Sequence, residues 1–218
     1  YYGEASYLSA GYFRKKVSNF IVNTTQALTF QTANGNLLTD PSTGTDVDNP
    51  DPDDDVAVFT NTQPNNTESA VVDGWELALQ HTFANGFGLM ANATLVDSNK
   101  ALDPSDISQV FALTGLSDSY NLVSFYENGP FQIRIAYNWR DSFVQSLTQS
   151  NGDGVTIVES YAQVDASSSY DISDNISLFF EGINLTEEYI HKRGRFSNQL
   201  LLIEDSGRRF AFGIRGTY

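Results

Sequence analysis

An all-β fold, an antiparallel up-and-down transmembrane β-barrel, is what three features of this sequence predict. Apolar and polar residues alternate with a period of two in segment after segment, and the 3.6-residue period of an amphipathic helix is hard to find. Tight turns and long connections follow one another in strict alternation. In an up-and-down sheet that alternation gathers every tight turn at one end and every long loop at the other. Aromatic residues recur on the apolar faces at a spacing that matches the height of a hydrocarbon layer.

The segments come in order. The first, residues 6–20 (SYLSAGYFRKKVSNF), is followed by 74–83, where Trp75, Leu77, Leu79 and Phe83 oppose Glu76, Gln80 and Thr82. Residues 88–97 (GLMANATLVD) and 120–127 (YNLVSFYE) are next. The cleanest alternation is 131–140, with Phe131, Ile133, Ile135, Tyr137 and Trp139 opposite Gln132, Arg134, Ala136, Asn138 and Arg140. In 160–170, Ala162, Val164, Ala166 and Tyr170 oppose Tyr161, Gln163, Asp165 and Ser167. Residues 175–184 are less regular, because Phe179 and Ile183 share the side of Glu181. The last segment sets Phe210, Phe212, Ile214, Gly216 and Tyr218 against Arg209, Ala211, Gly213, Arg215 and Thr217. The total is about eight strands.

Tight turns are expected near residue 3 (YGEA) and at 85–88 (NGFG), 128–130 (NGP) and 173–175 (SDN), all built of residues that accept positive φ or set a turn. Long connections are expected at roughly 31–66, 99–117, 144–156 and 187–205. A Greek-key sandwich has no reason to keep this alternation. Phe131 and Trp139 lie eight residues apart on one face, as do Phe210 and Tyr218. At about 3.3 Å per residue and a tilt near 40°, that separation rises roughly 20 Å, close to an apolar band about 25 Å tall edged by aromatic girdles. A soluble sheet would instead bury the same apolar face against a second sheet.

Composition sets the outer limits. With 218 residues, 40% of them hydrophobic, the chain suits one large domain or part of a larger one. Its 27 acidic against 12 basic residues give a formal charge of −15, and that field argues against nucleic acid as a partner. No run of about 18 apolar residues encodes a transmembrane helix. The mean hydropathy of −0.29 suits a soluble protein and a barrel alike, because alternating strands give a weak hydropathy signal. Without cysteine there are no disulfides or thiolate metal sites.

The stretches YENGPFQIRIAYNWRDSF, YAQVDASSSYDISDNISLFFEGINLTEEY and GRRFAFGIRGTY resemble, in order and spacing, the last barrel strands of a TonB-dependent outer-membrane receptor. SYLSAGYFRKKVSNFI and VVDGWELALQHTFANGFGLMANATLVDS resemble the strands before them, so the likeness covers most of the chain and fails only in 31–66. The resemblance implies that residues 1–218 are the C-terminal portion of a barrel of about 22 strands, with the plug domain and the segment that grips the TonB–ExbB–ExbD complex lying outside it. It also implies active uptake of a scarce nutrient, such as a ferric siderophore or an oligosaccharide, across the outer membrane of a Gram-negative bacterium. The terminal aromatic Tyr218, with Phe210, Phe212 and Ile214 at alternate positions before it, resembles the signal read by the barrel assembly machinery, where phenylalanine is commoner. A self-contained eight-strand barrel serving as anchor or adhesin is the alternative, and a soluble all-β binding module is a second. Pairing of the first strand with the last would mark the self-contained ring.

On this topology residues 31–66 form a long acidic extracellular loop. Asp48, Asp51, Asp53 and Asp55 within it are a candidate structural Ca²⁺ site, since calcium takes 6 to 8 oxygen ligands at flexible spacing. The spacing is not that of an EF-hand, and a solvated acidic run held extended by three prolines is the plainer reading. No other cofactor is required. The basic run HKRGR supplies Lys192, Arg193 and Arg195 to the last long loop. It is read either as a contact for lipopolysaccharide phosphate or an anionic ligand, or as local pairing with Glu187, Glu188, Glu204 and Asp205. Of the inward polar residues, Asn138 and Arg140 stand nearest the outer mouth and complete the candidate ligand-binding set. His81 and His191 are the only histidines, and there is no Gly-x-Ser-x-Gly and no histidine metal pair, so no enzyme is expected.

Overall fold

The computed structural model describes residues 6–29, 59–107, 109, 111–147 and 154–217. Among them every regular element is a strand. Two compact units emerge, Tyr1–Lys16 with Ala70–Tyr218, and Val17–Ser69. The first two strands, β1 (Tyr7–Leu28) and β2 (Phe59–Thr82), contribute to both.

In the larger unit an antiparallel sheet runs in the order β1, β2, β3 (Phe87–Ser98), β4 (Ser119–Asn128), β5 (Phe131–Arg140), β8 (Tyr161–Ser173), β9 (Ile176–Ile183), β12 (Arg209–Gly216). Each sequence-predicted strand therefore exists, and neighbours in the sheet follow chain order. β4 and β5 pair without a break from Ser119↔Arg140 to Asn128↔Phe131. Asn85–Gly86, Gly129 and Asp174–Asn175 make the three described tight turns, with Gly86 at φ 89° and Gly129 at φ 56°, a region that glycine enters without a Cβ penalty. β1 and β12 are the edges of this sheet, so the described strands do not close into a self-contained ring.

Two long connections hold strands that alternation in the sequence does not announce. β6 (Phe143–Ser146) and β7 (Thr156–Val158) lie between β5 and β8, and β10 (Ile190–Arg193) and β11 (Leu200–Glu204) lie between β9 and β12. They form a second sheet in the order β11, β10, β7, β6, which repeats the order β12, β9, β8, β5 of the strands they adjoin in the chain. The expected loops 144–156 and 187–205 are thus in part an extension of the last four strands. These pieces are three to five residues long, too short for a period to register.

In the smaller unit, β1 and β2 carry residues 17–28 and 59–69. At 22 and 24 residues these strands are about twice the 9–11 that span a bilayer. The far part of β2 (TNTQPNNTES) is polar on both faces, so it lacks the alternation that marks a strand. Residues 59–66 of the expected loop 31–66 are strand. Residues 30–58, with Asp48, Asp51, Asp53 and Asp55, lie outside the described residues.

The apolar face of the larger sheet is exposed. Ile135 is 48% accessible, Phe212 88% and Ile214 72%. Among the described residues the buried apolar side chains are only Ala, Val and Ile, and no second sheet packs Phe, Leu or Trp into a core. A sandwich core would have buried them. Two aromatic rows cross this face instead. Toward the tight turns stand Phe83, Phe87, Tyr126, Phe131 and Tyr170, with Phe87↔Tyr126 and Phe131↔Tyr170 opposite each other. Toward the long connections stand Tyr12, Trp75, Tyr120 and Trp139, with ring centroids 5.3 Å apart in the first pair and 4.9 Å in the second. The rows bound a band of Leu77, Leu89, Leu122, Ile133, Ile135 and Leu178. This is the girdle arrangement of a transmembrane barrel wall.

The polar face packs by a different device. Phe125 covers Gly88 of the neighbouring strand, and Phe179 covers Gly213. A Cβ on Gly88 would lie 2.0 Å from the Phe125 ring, so Gly88→Ala is expected to destabilise the wall by about 1–3 kcal/mol. Guanidinium unfolding in lipid vesicles checks this, with Phe125→Leu in the same chain expected to restore part of the loss.

Candidate functional site at the loop end

The end of the sheet that carries the long connections is tied together by three arginines. Arg140, the last residue of β5, donates from Nε to Ser117 Oγ (2.8 Å) and from Nη2 to the Gly115 carbonyl (3.0 Å). Its guanidinium lies 3.7 Å from the Phe143 ring centroid, within cation–π range. Arg193, in β10, pairs with Glu159 and donates to the carbonyls of Gly194 and Arg195 at 3.1 Å. Arg195 crosses to the 99–118 connection and donates from Nη1 to the carbonyls of Asp103 (3.0 Å) and Asp106 (2.7 Å). Each uses the fork of a guanidinium to satisfy loop carbonyls that no ladder reaches.

Beneath these contacts is a cavity of about 270 Å³ whose lining includes Lys100, Leu102, Leu113, Phe143, Ile157 and Arg193. Asp103, beside it, has its carboxyl held below the usual carboxylate range, first by hydrogen bonds from the Ser105 hydroxyl and backbone and last by the charge of Arg195. Because the folded value is the lower one, this turn is favoured above the ordinary carboxylate range and weakens as pH falls through the lowered value.

The corner where β9 leaves the wall is made by Asn184, 1% exposed and left-handed at φ 56°. Its N–H donates to Asp165 Oδ1 (2.9 Å), its Nδ2 to the carbonyls of Glu188 (3.0 Å) and Gly207 (3.4 Å), and its Oδ1 accepts from Glu188 N (2.9 Å). Asp165 also receives Gln163 Nε2 at 2.6 Å, and Gln163 receives the Tyr161 hydroxyl at 2.6 Å. A polar ladder thus runs down the inner side of β8 from its loop end to this corner.

Of the candidate ligand-binding residues, Arg193 lines the cavity, Arg140 stacks on Phe143 of its lining, and Arg195 holds the connection that contributes Leu102 and Pro104 to it. Asn138 sits lower on the polar face and accepts a hydrogen bond from Asn121 across the β4–β5 pair. Lys192 is half-buried between Val158 and Leu202 in register. The two arginines of the basic run are engaged, but by distant partners and not by the nearby acids expected. Arg193 takes Glu159 and Arg195 takes backbone carbonyls, while Glu187 is held by Arg208 at 2.6 Å and Asp205 caps Gly207 N. Phe210, Phe212 and Ile214 point outward along β12, 62–88% exposed, and Tyr218 lies outside the described residues. Asn184 was not among the sequence-derived candidates. The signal for it was an asparagine, a residue that tolerates left-handed φ, directly after a strand.

No curated protein matches the chain. The siderophore receptor PirA from Acinetobacter baumannii is similar in structure, with a TM-score of 0.59 and 18% identity over 99% of this chain. The chain spans 30% of that receptor's length, and at this identity the likeness speaks for a shared fold. The family described as TonB dependent receptor-like, beta-barrel, matches residues 1–185. The outward apolar face, the paired aromatic rows and that match agree, and the chain belongs to the TonB-dependent receptor β-barrel family.

Proposed function

We propose that this chain is wall and outer loops of a receptor that takes up a scarce nutrient across the outer membrane, without catalysis of its own. One observation carries the reading. The sheet turns an exposed apolar band, edged by two aromatic rows, to one side and a hydrogen-bonded polar wall to the other, with arginine-tied loops at one end only. Capture of the nutrient falls to those loops, with Asn138, Arg140, Lys192, Arg193 and Arg195 offering donors to an anionic or hydroxyl-rich ligand. Release inward needs a plug and the TonB–ExbB–ExbD complex, which draws on the inner-membrane proton gradient, and the barrel assembly machinery inserts the wall. A ferric siderophore, the ligand class named for PirA, and an oligosaccharide both suit this donor set.

The test is uptake of radiolabelled ferric siderophores and maltooligosaccharides by cells expressing the receptor that contains this chain, with and without functional TonB. Accumulation of one probe only when TonB works supports the reading, and uptake indifferent to TonB sinks it. Lys192→Gln with Arg195→Gln is expected to weaken binding of the transported probe about tenfold or more, since a hydrogen bond to a charged group contributes about 1.5–3 kcal/mol. Equilibrium binding to whole cells reads the change.

A further inference from the structure

Three consecutive cations, Arg14, Lys15 and Lys16, stand exposed on β1 just past the aromatic row nearest the long connections. Tyr12 marks that row, with its ring 5.3 Å from Trp75 and its hydroxyl donating to Asp73 Oδ2 at 3.3 Å. Alternation along a strand then puts Arg14 and Lys16 on the lipid-side face with Tyr12, and Lys15 on the other. At about 3.3 Å per residue and a tilt near 40°, Arg14 and Lys16 rise roughly 5 and 10 Å above the ring level. Arg14 thus falls within a headgroup layer about 5–8 Å thick on each side of the hydrocarbon, and Lys16 stands just above it with a stem long enough to reach back. Among the described residues none of the three cations has a carboxylate within ion-pair distance. Asp73 and Asp97 face the same side in register with each other; Asp73 accepts from the Tyr12 hydroxyl and Asp97 from the Ser98 N–H, and neither lies within ion-pair distance of these cations. In a chain of net charge −15, two unpaired cations on the membrane side at headgroup depth call for an anion supplied by the membrane.

We infer that Arg14 and Lys16 form a binding site for the phosphates of the outer leaflet's phosphorylated glycolipid, lipopolysaccharide, seated against the Tyr12–Trp75 pair. Arginine matches the phosphate oxygens with its fork and lysine adds a point charge, while the two rings take the adjoining acyl or sugar carbons. This rests on the reading of the sheet as a membrane wall with its long connections outward. The HKRGR run is a separate feature, its arginines engaged by Glu159 and by the 99–118 connection.

The experiment is native mass spectrometry of the detergent-purified receptor containing this chain, after adding back phosphorylated lipid A, dephosphorylated lipid A or phosphatidylglycerol. Phosphorylated lipid A is expected to stay bound to the unaltered receptor and to R14K/K16R. Retention by R14Q/K16Q should fall on the order of tenfold or more, since each basic residue at a charged membrane surface contributes severalfold. K15Q, on the opposite face, should match the unaltered receptor. Equal retention by R14Q/K16Q, an equal loss in K15Q, or equal binding of dephosphorylated lipid A or phosphatidylglycerol would overturn the site. Heat-modifiable gel mobility verifies that each variant is a folded barrel, and the three-lipid comparison on the unaltered receptor stands even where a variant misfolds. Loss of TonB-dependent uptake with lipid retention intact would count against the transport reading alone.

Discussion

Ile135→Arg is expected to destabilise the wall by about 2–4 kcal/mol in a bilayer, the penalty of a guanidinium near the midplane of a barrel's lipid face. Ile135 lies midway between the two aromatic rows of β5, Phe131 and Trp139, and is 48% exposed. In water an exposed isoleucine can become arginine with little change, so the magnitude itself discriminates. The measurement is guanidinium unfolding of the receptor in lipid vesicles beside Gln132→Arg, which places the same charge on the polar face of the same strand. A large loss for Ile135→Arg and a small one for Gln132→Arg is the expected pair. Equal, small losses would mean that the apolar face meets water, and the membrane reading would fail with them.

Asn184→Ala carries the second large effect, about 2–5 kcal/mol. Part is conformational, because an alanine at φ 56° costs roughly 1–2 kcal/mol. The rest follows from stranding the Glu188 N–H and the carbonyls that Asn184 Nδ2 now satisfies, at about 1–3 kcal/mol for a buried polar group left unpaired. Asn184→Gly removes the first part and keeps the second, so it should be milder than the alanine by roughly 1–2 kcal/mol. Thermal unfolding in detergent micelles orders the two, and protease cleavage in 185–208 reports whether the loop has come loose. If alanine and glycine are equally harmful, strain is not part of the cost. If both behave like asparagine, the corner is held by something else.

Much of the wall was legible in residue order. A strand with one face in hydrocarbon must alternate, and β5 does so from Phe131 to Arg140 because each lipid-facing position is tested by the same solvent. Where that solvent is absent the signal disappears. The far half of β2 is strand with polar residues on both faces, and β6, β7, β10 and β11 are held by pairing between connections, not by an apolar face of their own. LLLIE, residues 200–204, shows continuous apolarity and no period, so an edge strand there cannot be told from a loop with greasy residues.

The loop end was legible only in part. That the arginines of HKRGR would be engaged followed from charge, but their partners are not the nearby acids that charge alone suggested. Arg193 finds Glu159, 34 residues away, and Arg195 finds the carbonyls of Asp103 and Asp106, 92 and 89 residues away. Acidic neighbours in sequence, Glu187 among them, were nearer along the chain yet went elsewhere.

Composition and alternation alone thus determined an all-β, up-and-down sheet with one apolar face, its aromatic edges and the end that carries the loops, because these depend on each strand's own two faces and on turn chemistry. Tertiary structure decided that the connections extend the last four strands into a second sheet, that arginines stitch them together, and that Asn184 turns the corner. Those outcomes depend on which distant carbonyls and carboxylates come within hydrogen-bond range, a property of the assembled sheet and not of any segment in it.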